Sequence, residues 1–156
     1  KLLPNSSFRG VFCIGNVLPH LPAAGLRGFL DDVHRLLEPG GAWVFQTVNF
    51  DRLLDLAVFE FPDKVLKRDR LIFARSYRGI QTARLEVHTR RTGPGGNIFS
   101  GKVDLYPRTS VDYTVVHRAA GFERQAHFAD YQGRGFDPAA SPGSVFVWKK
   151  PAKAGA

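Results

Sequence analysis

Polar side chains follow two apolar runs of the chain, and their types suit the binding of a ligand. Asn16 and His20 come after the apolar run 11–14, and Asn49 comes after the run 42–48. In open α/β sheets, ligands bind beyond the carboxyl ends of the strands. The pattern therefore predicts a binding site at one sheet edge, where amide and imidazole groups orient a ligand.

Each of these side chains also has a structural interpretation. Asn16 is typical of a turn, and His20 can simply close the loop that follows. The amide of Asn49 can orient a substrate, or it can cap a helix that begins at Asp51. We favour a functional role for Asn16 and His20 and leave both interpretations open for Asn49.

Two other patterns predict no site. The segment 96–103 has the glycine and lysine spacing of a P-loop, but Val103 stands where a magnesium-binding Ser or Thr is required. Cys13 lies in an apolar run, where a free cysteine behaves as a small hydrophobic residue. A single cysteine makes neither an internal disulfide nor, by itself, a zinc site, and we predict no metal site.

The spacing of apolar residues predicts the elements that position the polar groups. The runs 11–14 and 42–48 are typical of strands buried on both faces of a parallel sheet. Between them, apolar residues recur at helical spacing over 26–37, with Pro22 in the first turn and glycines at 40–41 after the last. Strand, helix and strand predict a βαβ unit with parallel strands.

The middle of the chain has a different period. Apolar and polar residues alternate through 83–90 and, after the glycine-rich segment 93–97, through 99–105. Such alternation is typical of antiparallel, half-exposed strands, and 71–78 is expected to join them.

The α/β pattern resumes near the C-terminus. Ser110 can cap a helix that ends before Gly121. The apolar residues of this helix are Val111, Val115, Val116 and Ala119. Strands at 123–129 and 144–149 then form an antiparallel pair. The predicted fold class is α/β, with a partly parallel sheet that ends in an antiparallel hairpin.

We therefore predict one partial domain over 1–156. Its α/β frame comprises 1–60 and 107–150, and a small antiparallel β-sheet is inserted at 68–106. We expect the inserted sheet to lie over the binding edge as a lid.

Composition excludes several classes of protein. No apolar run reaches the ~18–20 residues of a membrane span and no signal-peptide pattern is present, which favours a cytoplasmic protein. The net charge is +8, but the basic residues are dispersed. This arrangement favours a solvated basic surface over nucleic-acid binding. A non-catalytic basic nucleic-acid-binding or partner module stays as the alternative.

Five segments resemble the class I S-adenosylmethionine-dependent methyltransferases, and especially the glycine N-methyltransferase-like group. They are 13–21 (CIGNVLPHL), 36–41 (LLEPGG), 48–51 (VNFD), 105–108 (LYPR) and 119–122 (AAGF). They occur in the family's order and at its spacings, from about residue 8 to residue 150. The resemblance implies a Rossmann-like methyltransferase sheet and methyl transfer to a small-molecule acceptor.

The resemblance also implies roles for individual residues. Ile14 and Gly15, through the backbone, and His20 bind the methionine part of S-adenosylmethionine, and Asn16 faces the substrate near the transferred methyl group. Methyl transfer from a sulfonium is an in-line displacement that needs alignment and little acid–base work. Amide and backbone groups that position the reactants suit this chemistry.

Further residues are assigned to the substrate side. The resemblance gives Tyr106 a catalytic role and places Asn49 and Arg108 in the substrate pocket, although Tyr106 can equally be a packing residue. Val48 departs from the family, because glycine N-methyltransferase has an arginine there that holds the substrate carboxylate. We therefore do not expect glycine as the substrate.

The family's glycine-rich cofactor loop precedes all five segments. We therefore expect this chain to be the C-terminal part of such an enzyme. The family places its fourth, fifth, seventh and sixth strands side by side, so the first strand here should form an exposed apolar edge. A missing N-terminal part, or self-association through that edge, is the expected partner.

Overall fold

The computed structural model describes residues 3–66 and 70–152. The chain divides into two compact units. One unit, the frame, runs up to Arg52 and resumes at Arg108, and the other, the inserted unit, is Leu53–Pro107. The inserted unit thus begins before the predicted boundaries at 60 and 68, and residue 68 itself lies outside the described residues.

The frame is built on one four-stranded sheet. Its elements are β1 (Phe8–Cys13), a 3-10 turn (Leu18–His20), α1 (Ala23–Leu36), β2 (Leu37–Val48), α2 (Ser110–Ala119), β8 (Glu123–Phe128) and β9 (Gly143–Lys149). The strand order is β1-β2-β9-β8, with β1 parallel to β2 and with β9 antiparallel to both of its neighbours. This confirms the predicted strand order and the final hairpin. No helix in the described ranges has the length and apolar character needed to cross a membrane.

The inserted unit is an antiparallel sheet. Its strands are β3 (Val58–Glu60), β4 (Lys64–Leu66), β5 (Leu71–Arg78), β6 (Leu85–Gly93) and β7 (Gly96–Leu105). Strands β5, β6 and β7 follow one another in sequence and in space, and both β3 and β4 pair with β5. The three long strands were predicted. The three-residue strands were missed because so short a segment shows no clear alternation.

Aromatic side chains fill the core of the frame. The register places Trp43 opposite Trp148 and Phe45 opposite Phe146, and all four side chains are fully buried. The rings of Phe45 and Phe146 stack with their centroids 4.8 Å apart. Residues from both helices pack on the same side of the sheet, among them Leu26, Leu30, Val33 and Tyr113.

Strand β1 is buried on one face only. Val11 and Cys13 pack against the core, whereas Phe12 is 71% exposed and Ile14 is 59% exposed. The prediction that this run is buried on both faces is therefore wrong for the described residues, because both frame helices lie on one face of the sheet. Strand β1 is the sheet edge, as expected.

Helix α2 buries a different face from the one predicted. Val111 and Val115 are 66% and 64% exposed, while Tyr113 and His117 are buried. Tyr113, His117 and Ala120 recur at intervals of four and three residues, which places them on one helical face. Val111 and Val115 lie on the other side of the helix, whereas Val116 is partly buried and packs against the core, as predicted.

The start of α2 also differs from the prediction. The N-cap residue is Thr109, whose hydroxyl accepts a hydrogen bond from the backbone N–H of Asp112 at 3.1 Å. The Asp112 carboxylate accepts one in return from the backbone N–H of Thr109 at 2.8 Å. This is a capping box, and Ser110 is the first helical residue instead of the cap.

Lys150 closes the C-terminal end of α1. Its ammonium group donates to the carbonyl oxygens of His34 and Leu37, both at 2.8 Å. Carbonyls at a helix C-terminus lack partners within the helix, and a cation there is favourable. The residue that follows the last strand thereby fixes the helix that connects β1 and β2.

We predict that Lys150→Met lowers the free energy of unfolding by about 1–2 kcal/mol, because the helix end loses a charged donor. Urea denaturation measures this change. Lys149→Met is the matched control, since Lys149 is exposed, and it should change the free energy by less than about 0.5 kcal/mol. Equal losses in both variants would contradict the capping role.

His117 is a titratable group inside the aromatic core. Its ring stacks on Phe45 at 4.8 Å and on Trp148 at 4.7 Å. Nδ1 lies 2.7 Å from the carbonyl oxygen of Tyr113, and because a carbonyl only accepts, Nδ1 carries the proton. Burial lowers the pKa of His117 from 6.5 to about 4.

The lowered pKa predicts acid sensitivity. Between pH 6.5 and about 4 the unfolded chain binds a proton at residue 117 that the folded chain does not, so stability falls as the pH falls through this window. We predict that His117→Phe reduces the slope of unfolding free energy against pH, measured by urea denaturation at several pH values. Part of the slope should persist, because burial also lowers the pKa of His127 to about 4. An unchanged slope in His117→Phe would refute this origin.

Candidate functional site

The carboxyl ends of β1 and β2 lie side by side because the two strands are parallel and paired as far as Cys13 and Phe45. Two hydrogen bonds fasten the loop after β1 to β2. The backbone N–H of Gly15 donates to the side-chain oxygen of Gln46 at 2.9 Å, and that of Val48 donates to Oδ1 of Asn16, also at 2.9 Å. Gln46 was not recognised from the sequence, because it lies within the predicted strand.

The loop after β1 turns through two residues of left-handed conformation. Gly15 has φ = 86° and Asn16 has φ = 62°. Glycine adopts such angles freely, and asparagine tolerates them better than most residues. No atom lies within 4 Å of the position that a Cβ of residue 15 would occupy, and Ile14 is exposed. The backbone at 14–15 is therefore open to a ligand.

Asn49 uses its amide within the protein. It is 1% exposed, and Nδ2 donates to the carbonyl oxygens of Pro138 and Ser141, both at 2.9 Å. Its Oδ1 accepts from the backbone N–H of Asp51 at 3.0 Å. These contacts anchor the loop between β8 and β9, and they favour a structural role. Residues 51–55 form turns, so no helix begins at Asp51.

Asp51, expected to begin a helix, has a structural role of a different kind. Its carboxylate accepts hydrogen bonds from the backbone N–H and the hydroxyl of Ser110, each at 2.9 Å. These contacts tie the segment after β2 to the start of α2. The partners are 59 positions apart in the sequence, so no local signal reveals this pairing.

His20 lies on a loop that Arg108 holds. The guanidinium of Arg108 donates to the carbonyl oxygen of Leu21 at 2.8 Å. Leu18 is fully buried in the same loop, whereas His20 is exposed. Arg108 thus positions the loop after β1, and its predicted contact with substrate stays a prediction.

Tyr106 follows the last strand of the inserted unit and is half-buried. The other predicted site residues, Ile14, Gly15, Asn16, His20 and Asn49, lie in the frame at the ends of β1 and β2. The catalytic roles of Tyr106 and Asn16 stay predictions.

His127 lies near the end of β8, opposite Phe146 of β9, and no sequence motif marked it. The His127 ring is stacked between Phe136 and Phe146, with centroid distances of 3.8 Å, and its Nε2 is 2.6 Å from the hydroxyl of Ser144. Burial, and secondarily Arg124, lower the pKa of His127 to about 4. The imidazole is neutral at pH 7 and helps to hold the loop after β8.

The described residues contain no group of three or more His, Cys, Asp and Glu side chains placed to hold a metal ion. The polar groups at the ends of β1 and β2 mostly fix the backbone, and they leave an open backbone corner at 14–15. This arrangement suits the positioning of a ligand.

Comparison with known proteins identifies the fold. No protein-family model matches the sequence, and no curated protein matches it either. Among solved structures, the CcbJ methyltransferase from Streptomyces caelestis is 23% identical with a TM-score of 0.77, covering 96% of this chain and 64% of its own. An S-adenosylmethionine-dependent methyltransferase from Clostridium acetobutylicum is 11% identical with a TM-score of 0.76, covering 97% and 62%.

A third similar structure contains the cofactor. CalS10, an amino pentose methyltransferase from Micromonospora echinaspora with S-adenosylmethionine bound, is 20% identical with a TM-score of 0.62. The match covers 96% of this chain and 61% of CalS10. The chain has the class I methyltransferase fold, as the sequence predicted, and it spans 61% to 64% of the length of these three proteins. The likeness does not show the glycine N-methyltransferase-like subgroup.

The two asparagines should respond differently to the same substitution. Asn16 supplies an acceptor to Val48, whereas Asn49 supplies donors to carbonyl oxygens. We predict that Asn16→Asp changes the free energy of unfolding by less than about 1 kcal/mol, because the acceptor is kept. Asn49→Asp should cost about 3 kcal/mol or more, because a buried carboxylate would face carbonyl oxygens. Urea denaturation at pH 7 compares them, and a larger loss for Asn16→Asp would overturn these assignments.

Proposed function

We propose that this chain is the C-terminal part of an S-adenosylmethionine-dependent methyltransferase that acts on a small molecule. The observation that carries the proposal is the open, left-handed corner at Gly15 and Asn16, placed at the carboxyl end of β1 in a methyltransferase fold. Ligands of open α/β sheets bind at such strand ends.

The residues after β1 fit one part of the cofactor. The exposed residues Ile14 and Gly15, through the backbone, and the imidazole of His20 would hold the methionine part of S-adenosylmethionine, beside the N–H of Gly15 that Gln46 already binds. When bound, this cofactor supplies an electrophilic methyl group on its sulfonium. A polar backbone edge with free space beside it suits a charged amino-acid moiety, and the space beside Gly15 leaves room for contacts from other residues.

The chain's other site residues would position the acceptor. Asn16 is proposed to lie near the transferred methyl group, and the catalytic role of Tyr106 stays a prediction. Asn49 and Arg108 would act through the loops that they hold. An in-line displacement depends on alignment and exclusion of water, and rigid strand ends supply alignment.

The missing contacts would come from a preceding segment that packs on β1. The strands β1, β2 and β9 carry apolar residues on both faces, which is typical of a sheet covered on both sides. Phe12, Ile14 and Val17 are exposed, and β1 pairs with β2 alone in the described sheet. An N-terminal half-domain would cover these groups, and self-association through β1 is the alternative.

We predict that the protein extended by its upstream coding segment binds S-adenosylmethionine at least about 100-fold more tightly than the 156-residue chain. Isothermal titration calorimetry on both proteins measures this difference. The expected cause is that residues 14–20 contact only part of the cofactor. No detectable binding by the extended protein would refute the proposed function.

A pair of glycine variants in the extended protein tests the corner itself. Gly15→Ala should lower the affinity for S-adenosylmethionine about tenfold, because alanine is strained at φ = 86° and its methyl group enters the open space. Gly28→Ala is the matched control, since this helical position also has open space but an ordinary φ. Equal effects of the two variants would exclude a role for the corner.

A further inference from the structure

The inserted unit has a cavity of about 620 Å³ on one face of its sheet. The register places Ser76, His88 and Lys102 opposite one another on β5, β6 and β7. The next row contains Ala74, Arg90 and Ser100. Directly opposite residues share a face of a sheet, and all of these residues line the cavity. The volume lies in the range of small-molecule sites.

Several charges on this face already neutralise one another. The Glu86 carboxylate lies 3.0 Å from Nε2 of His88 and 3.1 Å from the ammonium of Lys102. Arg84 bridges Glu86 at 3.4 Å and Asp104 at 3.2 Å. Hydrogen bonds from His88 and Lys102 lower the pKa of Glu86, which keeps it ionised. Of this cluster, His88 and Lys102 line the cavity, and their contacts with Glu86 leave them little charge for a ligand.

Other charges that line the cavity form no ion pair within the described part of the chain. Arg90 lies on β6 beside Ser100 and near Lys102, on the side of the sheet toward β7. Glu60 and Asp63 lie across β5, where Glu60 is paired with Ser76. Arg75 is already engaged, because its guanidinium stacks 4.0 Å from the ring centre of Phe61. Arg78 also lines the cavity, and its guanidinium donates to the hydroxyl of Ser76 at 3.5 Å. The described lining therefore has Arg90 on one side and the carboxylates of Glu60 and Asp63 on the other, with no ion pair between them.

We propose that this cavity binds a free small molecule that carries an anionic group at one end and an amine at the other. The anionic group would lie at Arg90, where the hydroxyl of Ser100 on the opposite strand adds a donor. The amine would lie between Glu60 and Asp63. Separated fixed charges of opposite sign select a zwitterion over a simple anion, because each end of the ligand replaces water at a complementary group. The proposal does not depend on methyl transfer.

The test uses the 156-residue chain and three probes: O-phosphoethanolamine, inorganic phosphate and ethanolamine. We expect O-phosphoethanolamine to bind at least about tenfold more tightly than either of the others by isothermal titration calorimetry. Equal affinities for O-phosphoethanolamine and phosphate would overturn the amine contact. No saturable binding of O-phosphoethanolamine would overturn the site.

Substitutions on one strand distinguish a site from general surface charge. Arg90→Gln should weaken binding of O-phosphoethanolamine and of phosphate at least about tenfold. Arg91→Gln is the matched control, because it removes the same charge from the next residue, which is paired with Phe73 and Phe99 on the opposite face. Equal losses in both variants would overturn the proposal.

The anionic side has its own test. Asp63→Asn should weaken the binding of O-phosphoethanolamine and leave phosphate binding unchanged or slightly stronger. A loss of phosphate affinity in Asp63→Asn would contradict the assignment of the two sides. Thermal denaturation of each variant, all at exposed positions, confirms that the fold is kept.

Discussion

The packing of aromatic rings on one face of the frame sheet is the interaction on which the rest of the frame depends. Trp43 and Phe45 of the central strand lie opposite Trp148 and Phe146, and burial of each ring stabilises the fold by about 2–3 kcal/mol. A slip of one residue in the pairing would turn all of these rings to the other face. The packing therefore sets the register, and the register decides which residues end each strand.

Polar side chains at the ends of β1 and β2 hydrogen-bond to backbone groups of neighbouring segments, and these bonds give the candidate site its shape. Asn16 holds Val48, Asn49 holds the loop before β9, and Asp51 holds the start of α2. These contacts satisfy buried N–H and carbonyl groups, and they leave little side-chain chemistry for a reaction. What is offered to a ligand is a fixed backbone corner with space around it, which suits a reaction that depends on alignment.

The fold was largely predictable because its long elements carry strong periodic signals. Helix α1 and the long strands follow from apolar spacing, and the order of the frame strands follows from the family resemblance. The contacts of the site were not predictable in the same way. The side chain of Asn49 binds carbonyl groups about 90 residues away in the sequence. These partners, which local sequence does not reveal, favour a loop-anchoring role for Asn49 over contact with a substrate. Polar residues at strand ends therefore predict where a site lies. They do not predict whether each side chain binds a ligand or holds the backbone.

The error in the predicted burial of β1 has a structural cause. Phe12 within β1 and Ile14 directly after it were expected in a core and are exposed. Leaving each such side chain in water forgoes about 1.5–3 kcal/mol, so apolar residues at these positions are costly unless something covers them. The helices α1 and α2 already cover the opposite face of the sheet, so they do not supply this cover. The apolar pattern and the one-sided core together favour a further layer on β1, and the same layer would complete the site at its carboxyl end.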